Sequence, residues 1–528
     1  MMDASEQVAR GSVRTAVLQL LRSLEMTTIF GNPGSTELPM FRDFPADFRY
    51  ILGLQESIVV AMADGYAQAT GQAVVVNLHS AAGVGHAMGN VFTAFKNRTP
   101  LVITAGQQAR SLFQFEPYLF SDRATQLPLP YVKWACEPAR AEDVPRAIAR
   151  AILIASQPPR GPVLVSIPVD DWDVSSQMIE PRQVYASARP DPAALESLRF
   201  ALAQCDRPVF VVGAAVDRDG AWDEVVRLAE QHSARVWVSP VSGRCSFPES
   251  HPLFAGFLPA FRERIVERLT GHDLILVLGA PVFPYHFQGS GPHIPAGAKL
   301  IHVTDEPDCA ASAAAGVSIV TGLRLCLQEL LKSQRTRPRA LPIPTDRPPR
   351  VLSSHTISVD LLMQTLSDVR PADSIIVEEA PSSRASMQAH LPINRSGGFF
   401  TTSSGGLGYG LPAAIGVALA CPERAVIGIV GDGSSMYAIQ GLWTAAQLAL
   451  PITFVVVNNR KYAAMHEFAA LFGMPPAVGT DLSGLDFVGL AKSQGCQGTR
   501  VRDAGELAGA LDVAIRSRAP SLVEVCVE

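Results

Sequence analysis

Short apolar runs alternate along the chain with stretches whose apolar positions recur at helical spacing, the pattern of βα units around parallel sheets. Val13, Val17, Leu20, Leu21 and Leu24 share one helical face, so the first clear element is an amphipathic helix. In the first block, strands are expected at Thr27–Phe30, Tyr50–Leu54, Ala73–Leu78, Leu101–Thr104 and Pro162–Ile167. A proline-containing segment, Pro181 to Pro192, has linker composition. The second block carries runs at Pro208–Gly213, Asp273–Gly279 and Lys299–Val303, and a proline- and arginine-rich stretch from Gln334 to Arg350 forms a second, extended linker. The third block offers strands at Ser374–Val377, Ala425–Val430, Ile452–Val457 and Ser521–Val527. The expected fold class is therefore α/β, with three doubly wound domains on parallel sheets at residues 1–182, 193–333 and 351–528. No short-period repeat is visible, and a shared topology of the first and third blocks is compatible with their patterns.

Composition narrows the class without changing this picture. A chain of 528 residues exceeds one ordinary core, and 48% hydrophobic against 18% charged residues suits several buried ones. The 44 basic and 49 acidic residues are mixed along the chain, leaving no electrostatic footprint for nucleic acid. Eight scattered cysteines, with no CxxC pair, are expected to be reduced thiols. The start, MMDASEQVAR, is acidic rather than signal-like, and no run approaches the roughly 18 apolar residues of a membrane span. The expected location is the cytoplasm.

Chemistry concentrates in the third block. The run Ala425–Val430 leads directly into Gly431-Asp432-Gly433-Ser434, and after a helical stretch the run Ile452–Val457 ends in Asn458-Asn459. Both polar clusters then lie at the carboxyl ends of strands, where open α/β sheets bind ligands. One carboxylate with an amide oxygen is a hard donor set suited to Mg²⁺, which retains phosphate oxygens as further ligands. Glycines around Asp432 let an anion approach the backbone, and the following helix start favours negative charge. Alone, Gly-Asp-Gly is more often a tight turn; the spacing to the asparagine pair is what favours the ligand reading. Glu56 stands at a strand-to-helix junction, where an acidic residue commonly serves the helix N-terminus.

The GDG element followed by NN resembles the signature of the thiamine-diphosphate-dependent enzymes. Further likeness runs through Phe30-Gly-Asn-Pro-Gly-Ser-Thr-Glu-Leu-Pro39, Asn77-Leu-His-Ser-Ala-Ala-Gly83, Thr104-Ala-Gly-Gln-Gln108, Gly279-Ala-Pro-Val-Phe283 and Leu411-Pro-Ala-Ala-Ile-Gly416. Together these narrow the resemblance to the benzoylformate decarboxylase branch over nearly the whole chain. The resemblance implies a pyrimidine-binding first domain, a central Rossmann-like domain and a diphosphate-binding third domain. It implies thiamine diphosphate with Mg²⁺ held by Asp432, Asn459 and the Lys461 carbonyl. Glu56 would activate the pyrimidine, Ser35 would take the substrate carboxylate, and His79 and His286 would transfer protons. Glu379, Gly405, Gly406, Leu407, Gly431, Gly433, Ser434 and Tyr462 would contact the cofactor. Thr401, Ala464, Met465 and Phe468 would form the substrate pocket.

The implied reaction is non-oxidative decarboxylation of a 2-oxo acid to an aldehyde and CO₂, with benzoylformate or another aryl or branched acid as substrate. The implied assembly is a homodimer or homotetramer with shared sites. The chain departs from that branch at Glu378-Glu379-Ala380-Pro381 and at Thr401-Thr-Ser-Ser404, both beside the expected cavity. An acetolactate-synthase-type carboligase is the alternative. A nucleotide-dependent oxidoreductase is disfavoured, because Gly213-Ala-Ala-Val lacks the GxGxxG spacing.

Overall fold

A computed structural model describes residues 10–333, 338–352 and 355–528. The acidic start and residues 334–337 of the second expected linker lie outside the described residues. The chain separates into two compact units, one of residues up to Tyr185 with 404–500 and 514–524, the other of 186–403, 501–513 and 525–528.

In the first unit a six-stranded sheet is built from β1 (Thr28–Asn32), β2 (Arg49–Leu52), β3 (Val74–Leu78), β4 (Leu101–Gln107), β5 (Ala135–Cys136) and β6 (Val163–Pro168). Their spatial order is β2-β1-β3-β4-β6-β5, and every pair is parallel. β3, β4 and β6 are buried along their whole length, which is why they read as unbroken apolar runs rather than alternating ones. The first helix, Val13–Ser23, is capped by Ser12 and packs Val17, Leu20 and Leu21 into the core with helix Val144–Ser156. A three-residue antiparallel ribbon, Arg10–Ser12 with Ser175–Gln177, ties the two ends of this block together.

In the second unit β7 (Pro208–Val212), β8 (Arg235–Val238), β9 (Phe254–Phe257), β10 (Leu274–Leu278), β11 (Lys299–Thr304) and β12 (Val317–Val320) form a parallel sheet in the order β9-β8-β7-β10-β11-β12. This is the Rossmann order, with its reversal between β7 and β10. The Pro181–Pro192 segment has no regular structure until helix Pro192–Gln204 begins, and residues 338–350 are likewise irregular.

Of the remaining strands, β13 (Ile375–Glu379) and β14 (Phe399–Thr401) pair in parallel within the second unit. In the first unit β15 (Val426–Gly431), β16 (Ile452–Asn458), β17 (Gln497–Val501) and β18 (Ser521–Cys526) lie in the order β15-β16-β18-β17. That order repeats β3-β4-β6-β5 of the first sheet, and β14 beside β13 repeats β2 beside β1. Among the described residues no helix is long and apolar enough to cross a membrane.

Candidate active site

β2, β1 and β3 are neighbours, and each ends in one of the expected catalytic residues. Ser35 lies exposed in the turn after β1, Glu56 opens helix Glu56–Thr70 after β2, and His79 precedes helix Ser80–Asn97 after β3. The parallel topology alone thus brings three separated sequence segments to one sheet edge.

The Glu56 helix starts one residue earlier than its apolar pattern suggests, because the Gln55 side chain accepts from the Ser57 and Ile58 amides at 2.7 and 3.2 Å. The Glu56 carboxylate is largely covered, at 13% exposure, and lies 3.3 Å from Nδ1 of the exposed His86. A Cβ on Gly83 would stand 3.2 Å from Glu56 Oε1, so the glycine leaves this carboxylate its space. Asn90 donates to the Ser57 carbonyl and hydroxyl and to the Gly408 carbonyl, at 3.0, 2.9 and 3.2 Å. It thereby ties the start of the Glu56 helix to the turn carrying Gly405, Gly406 and Leu407. In that turn the Gly406 amide donates to Ser404 Oγ, which also meets Thr93 Oγ1 at 2.8 Å.

His79 is held by a residue absent from the sequence expectations, Glu37, whose side chain is 2% exposed. His79 Nδ1 lies 2.8 Å from Glu37 Oε2, which also accepts from the Gly34 amide at 2.7 Å, while Thr36 donates to Oε1 at 2.7 Å. A carboxylate only accepts, so the imidazole carries its proton on Nδ1 and leaves Nε2 for other work. Two glycines make the arrangement possible. A Cβ on Gly34 would fall 2.2 Å from His79 Nδ1, and one on Gly106 only 1.9 Å from Glu37 Oε1. Both glycines belong to the segments that carried the resemblance. The glutamate beside them had no periodicity or spacing to mark it.

The GDG segment closes β15 and starts the short helix Asp432–Met436. Asp432 is buried at 4% exposure; its Oδ1 accepts from the Gly433 amide at 2.7 Å, and among the described residues its Oδ2 has no hydrogen-bond partner. Burial pushes the carboxyl above its ordinary range, opposed by the amides of Gly433, Arg460, Lys461 and Asn459. Those amides show that the turn after β16 packs against the carboxylate. In the same turn Arg460 is left-handed, at φ 61°, and Asn459 Oδ1 accepts from the Lys461 amide at 3.1 Å. Asn458 is occupied elsewhere, donating to Glu524 at 2.8 Å. An orphaned, buried carboxylate oxygen beside an amide oxygen fits a hard divalent cation. The Tyr462 ring packs so closely on Gly433 that a Cβ there would meet it at 2.2 Å. Gly431 and Ser434 flank the carboxylate on the strand end and in the first helical turn. Ala464, Met465 and Phe468 lie on helix Ala463–Leu471, where Met465 is 49% exposed.

His286, Glu379 and Thr401 belong to the second unit. His286 follows β10, with its ring against Phe287. Glu379 ends β13, buried. Thr401 is fully buried, its hydroxyl donating to Glu378 Oε2 at 3.0 Å and accepting from Arg384 at 2.7 Å.

Family models match three stretches of the chain. The "Thiamine pyrophosphate enzyme, N-terminal TPP binding domain" matches residues 12–126, the central domain 195–330 and the "C-terminal TPP binding domain" 382–525. A benzoylformate decarboxylase of Pseudomonas aeruginosa is 44% identical over 97% of this chain and 98% of its own. An acetolactate synthase large subunit of Parasynechococcus marenigrum is 28% identical over 97% and 86%. Among solved structures, the thiamine diphosphate-dependent 4-hydroxybenzoylformate decarboxylase of Rhodococcus jostii superposes with a TM-score of 0.95 at 41% identity, over 98% of this chain and 99% of that one. Benzoylformate decarboxylase from Polynucleobacter necessarius gives 0.95 at 39%, over 98% of each chain. With three family models matching along it and 44% identity to a benzoylformate decarboxylase over 97% of its length, this chain belongs to the thiamine pyrophosphate enzyme family.

Proposed function

We propose that the protein is a carboxy-lyase that decarboxylates a 2-oxo acid, benzoylformate or a related aryl or branched acid, to an aldehyde and CO₂. The observation carrying this reading is 44% identity to a benzoylformate decarboxylase over 98% of that relative. The proposed domains are 1–182 for the pyrimidine, 193–333 as a central module and 351–528 for the diphosphate.

Asp432, the Asn459 side chain and the Lys461 carbonyl would hold Mg²⁺, and Gly431, Gly433, Ser434 and Tyr462 the diphosphate around it. Glu56 would hydrogen-bond the pyrimidine, with Leu407, Gly405, Gly406 and Glu379 completing the cofactor's surroundings. Bound thiamine diphosphate supplies the electron sink for the charge left by departing CO₂. Ser35 orients the substrate carboxylate through its hydroxyl. His79, with Nδ1 committed to Glu37, holds and returns a proton at Nε2, and His286 serves as the second proton-transfer group. Ala464, Met465, Phe468 and Thr401 would face the apolar part of the substrate.

The active assembly in this proposal is a homodimer or homotetramer in which Glu56 of one protomer serves cofactor held by Asp432 of another. The exposed apolar side chains Met465, Leu471, Phe472, Met474 and Val478 support self-association through this segment of the chain. Release of CO₂ from aryl, branched and small 2-oxo acids, with added cofactor and Mg²⁺, tests the function. The expected result is fastest release from an aryl acid, with the matching aldehyde. Acetolactate as the main product from pyruvate alone would replace the reading with a carboligase.

A further inference from the structure

The second unit holds a partly open cavity of about 170 Å³ outside the carboxyl ends of β8 and β9, bounded on another side by helix Arg384–His390. Open parallel sheets bind ligands at this end of their strands. No residue proposed for catalysis or cofactor binding lines it.

Its walls are divided chemically. Val238, Phe257, Leu258, Met387 and Leu391 give an apolar part. Ser239 and Arg384 give a polar one in which hydrogen-bonding capacity is unspent. Ser239 is 3% exposed and, among the described residues, its Oγ has no partner; Arg384 Nε is buried and likewise without one. The rest of the Arg384 guanidinium is anchored, donating to Glu378 and to Thr401, so the group is held in place rather than free to seek solvent. Arg244, also in the wall, is paired with Asp217 at 3.1 Å. Glu249, the one acid in the wall among the described residues, is raised by burial to about 8 and is uncharged near neutrality, so it does not repel an anion. Buried donors are normally satisfied, and two unpartnered donors on residues lining one cavity are groups that a bound acceptor would satisfy once their side chains turn toward it.

We infer that this cavity is a second ligand site, taking a small carboxylic acid with a compact apolar body whose carboxylate accepts from Ser239 and Arg384. The volume sets the size: an apolar cavity of roughly 150 Å³ takes up benzene, so one ring or branched chain fills this space. The inference stands apart from the decarboxylase reading, because none of the residues lining the cavity is assigned to that site.

The test uses the full chain with thiamine diphosphate and Mg²⁺, and 4-bromobenzoate as probe. Crystals soaked with it are expected to show the bromine signal inside the cavity, and titration calorimetry a site that persists in Ser35→Ala. Ser239→Ala removes only a hydroxyl without a partner, so its thermal midpoint should be unchanged or higher, whereas probe affinity should fall about tenfold or more. Ser239→Leu should abolish binding at this site by filling it. Ordered water alone in the soaked cavity would overturn the inference. So would calorimetric binding that survives Ser239→Leu and disappears in Ser35→Ala.

Discussion

Glu37 is the residue on which the geometry around His79 depends. Its buried carboxylate accepts from an amide and a hydroxyl and engages the imidazole, and no neutral side chain of the same shape can accept from all three. In Glu37→Gln the amide NH₂ must face one of those donors, and the ring loses its fixed tautomer. Steady-state kinetics should show kcat lower by about 10²-fold with KM little changed; an unaltered kcat would remove Glu37 from any role in positioning. Glu249 makes a second prediction, this one about stability. Its folded value of about 8 stands above the ordinary 4.5, so between these two values the native chain holds a proton that the unfolded chain has lost. Native stability from this group therefore falls as pH rises across that window and levels off above it. Glu249→Gln keeps an acceptor for the Ile393 amide and removes the titration. The thermal midpoint of the variant relative to the parent should rise between about pH 5 and about pH 8; a constant difference would contradict the assignment. Asp432 and Glu56 were legible from spacing and resemblance, whereas Glu37 was not. A single acid in a loop has no period, and its importance comes only from the residues that converge on it.

Among elements, the helix pair Glu56–Thr70 and Gly410–Ala420 shows what apolar patterning leaves out. Both helices are apolar on most faces, as expected of buried ones, so amphipathicity could not say which face meets which. The contact is made backbone to backbone. A Cβ on Gly65 would lie 2.2 Å from the Ala413 carbonyl oxygen, and one on Gly416 only 1.9 Å from that of Met62. Beside it the fully buried Asp64 accepts from Tyr409 at 2.9 Å and Gln68 donates to Tyr409 Oη at 2.8 Å, which stitches the helices with polar bonds. Because carbonyls cannot yield as a flexible side chain can, Gly416→Val should cost about 3 kcal/mol or more, seen as a lower denaturation midpoint and loss of soluble protein. A variant as stable as the parent would show that the helices separate freely. The long strands emerged from the apolar pattern with ends shifted by up to three residues. The ribbon Arg10–Ser12 with Ser175–Gln177, and the two-residue β5, did not, since elements so short carry no period and exist only because a partner strand is nearby.

At the scale of the molecule, the prediction concerns how chains share their sites. If Glu56 of one protomer serves cofactor held by Asp432 of another, Glu56→Ala and Asp432→Asn chains are each inactive alone. Unfolded together and reassembled at random, they should recover about a quarter of normal activity, because half the dimers are mixed and each mixed dimer has one intact site. No recovery would place both groups of a site in one chain. Repetition of the β3-β4-β6-β5 order in β15-β16-β18-β17 means that two parts of the chain present strand ends of the same kind, one ending in His79 and the other in Asp432. The sequence by itself determined the α/β class, the alternation of buried strands and helices, and the residue types at each strand end, because these are set by local periodicity and by the donor chemistry of a few side chains. Only the tertiary structure decided that Glu37 turns toward His79, that Asn90 spans Ser57 and Gly408, and that Ser239 and Arg384 line one cavity. Each depends on groups far apart along the chain meeting within a few ångströms, and a one-dimensional pattern carries no information about that distance.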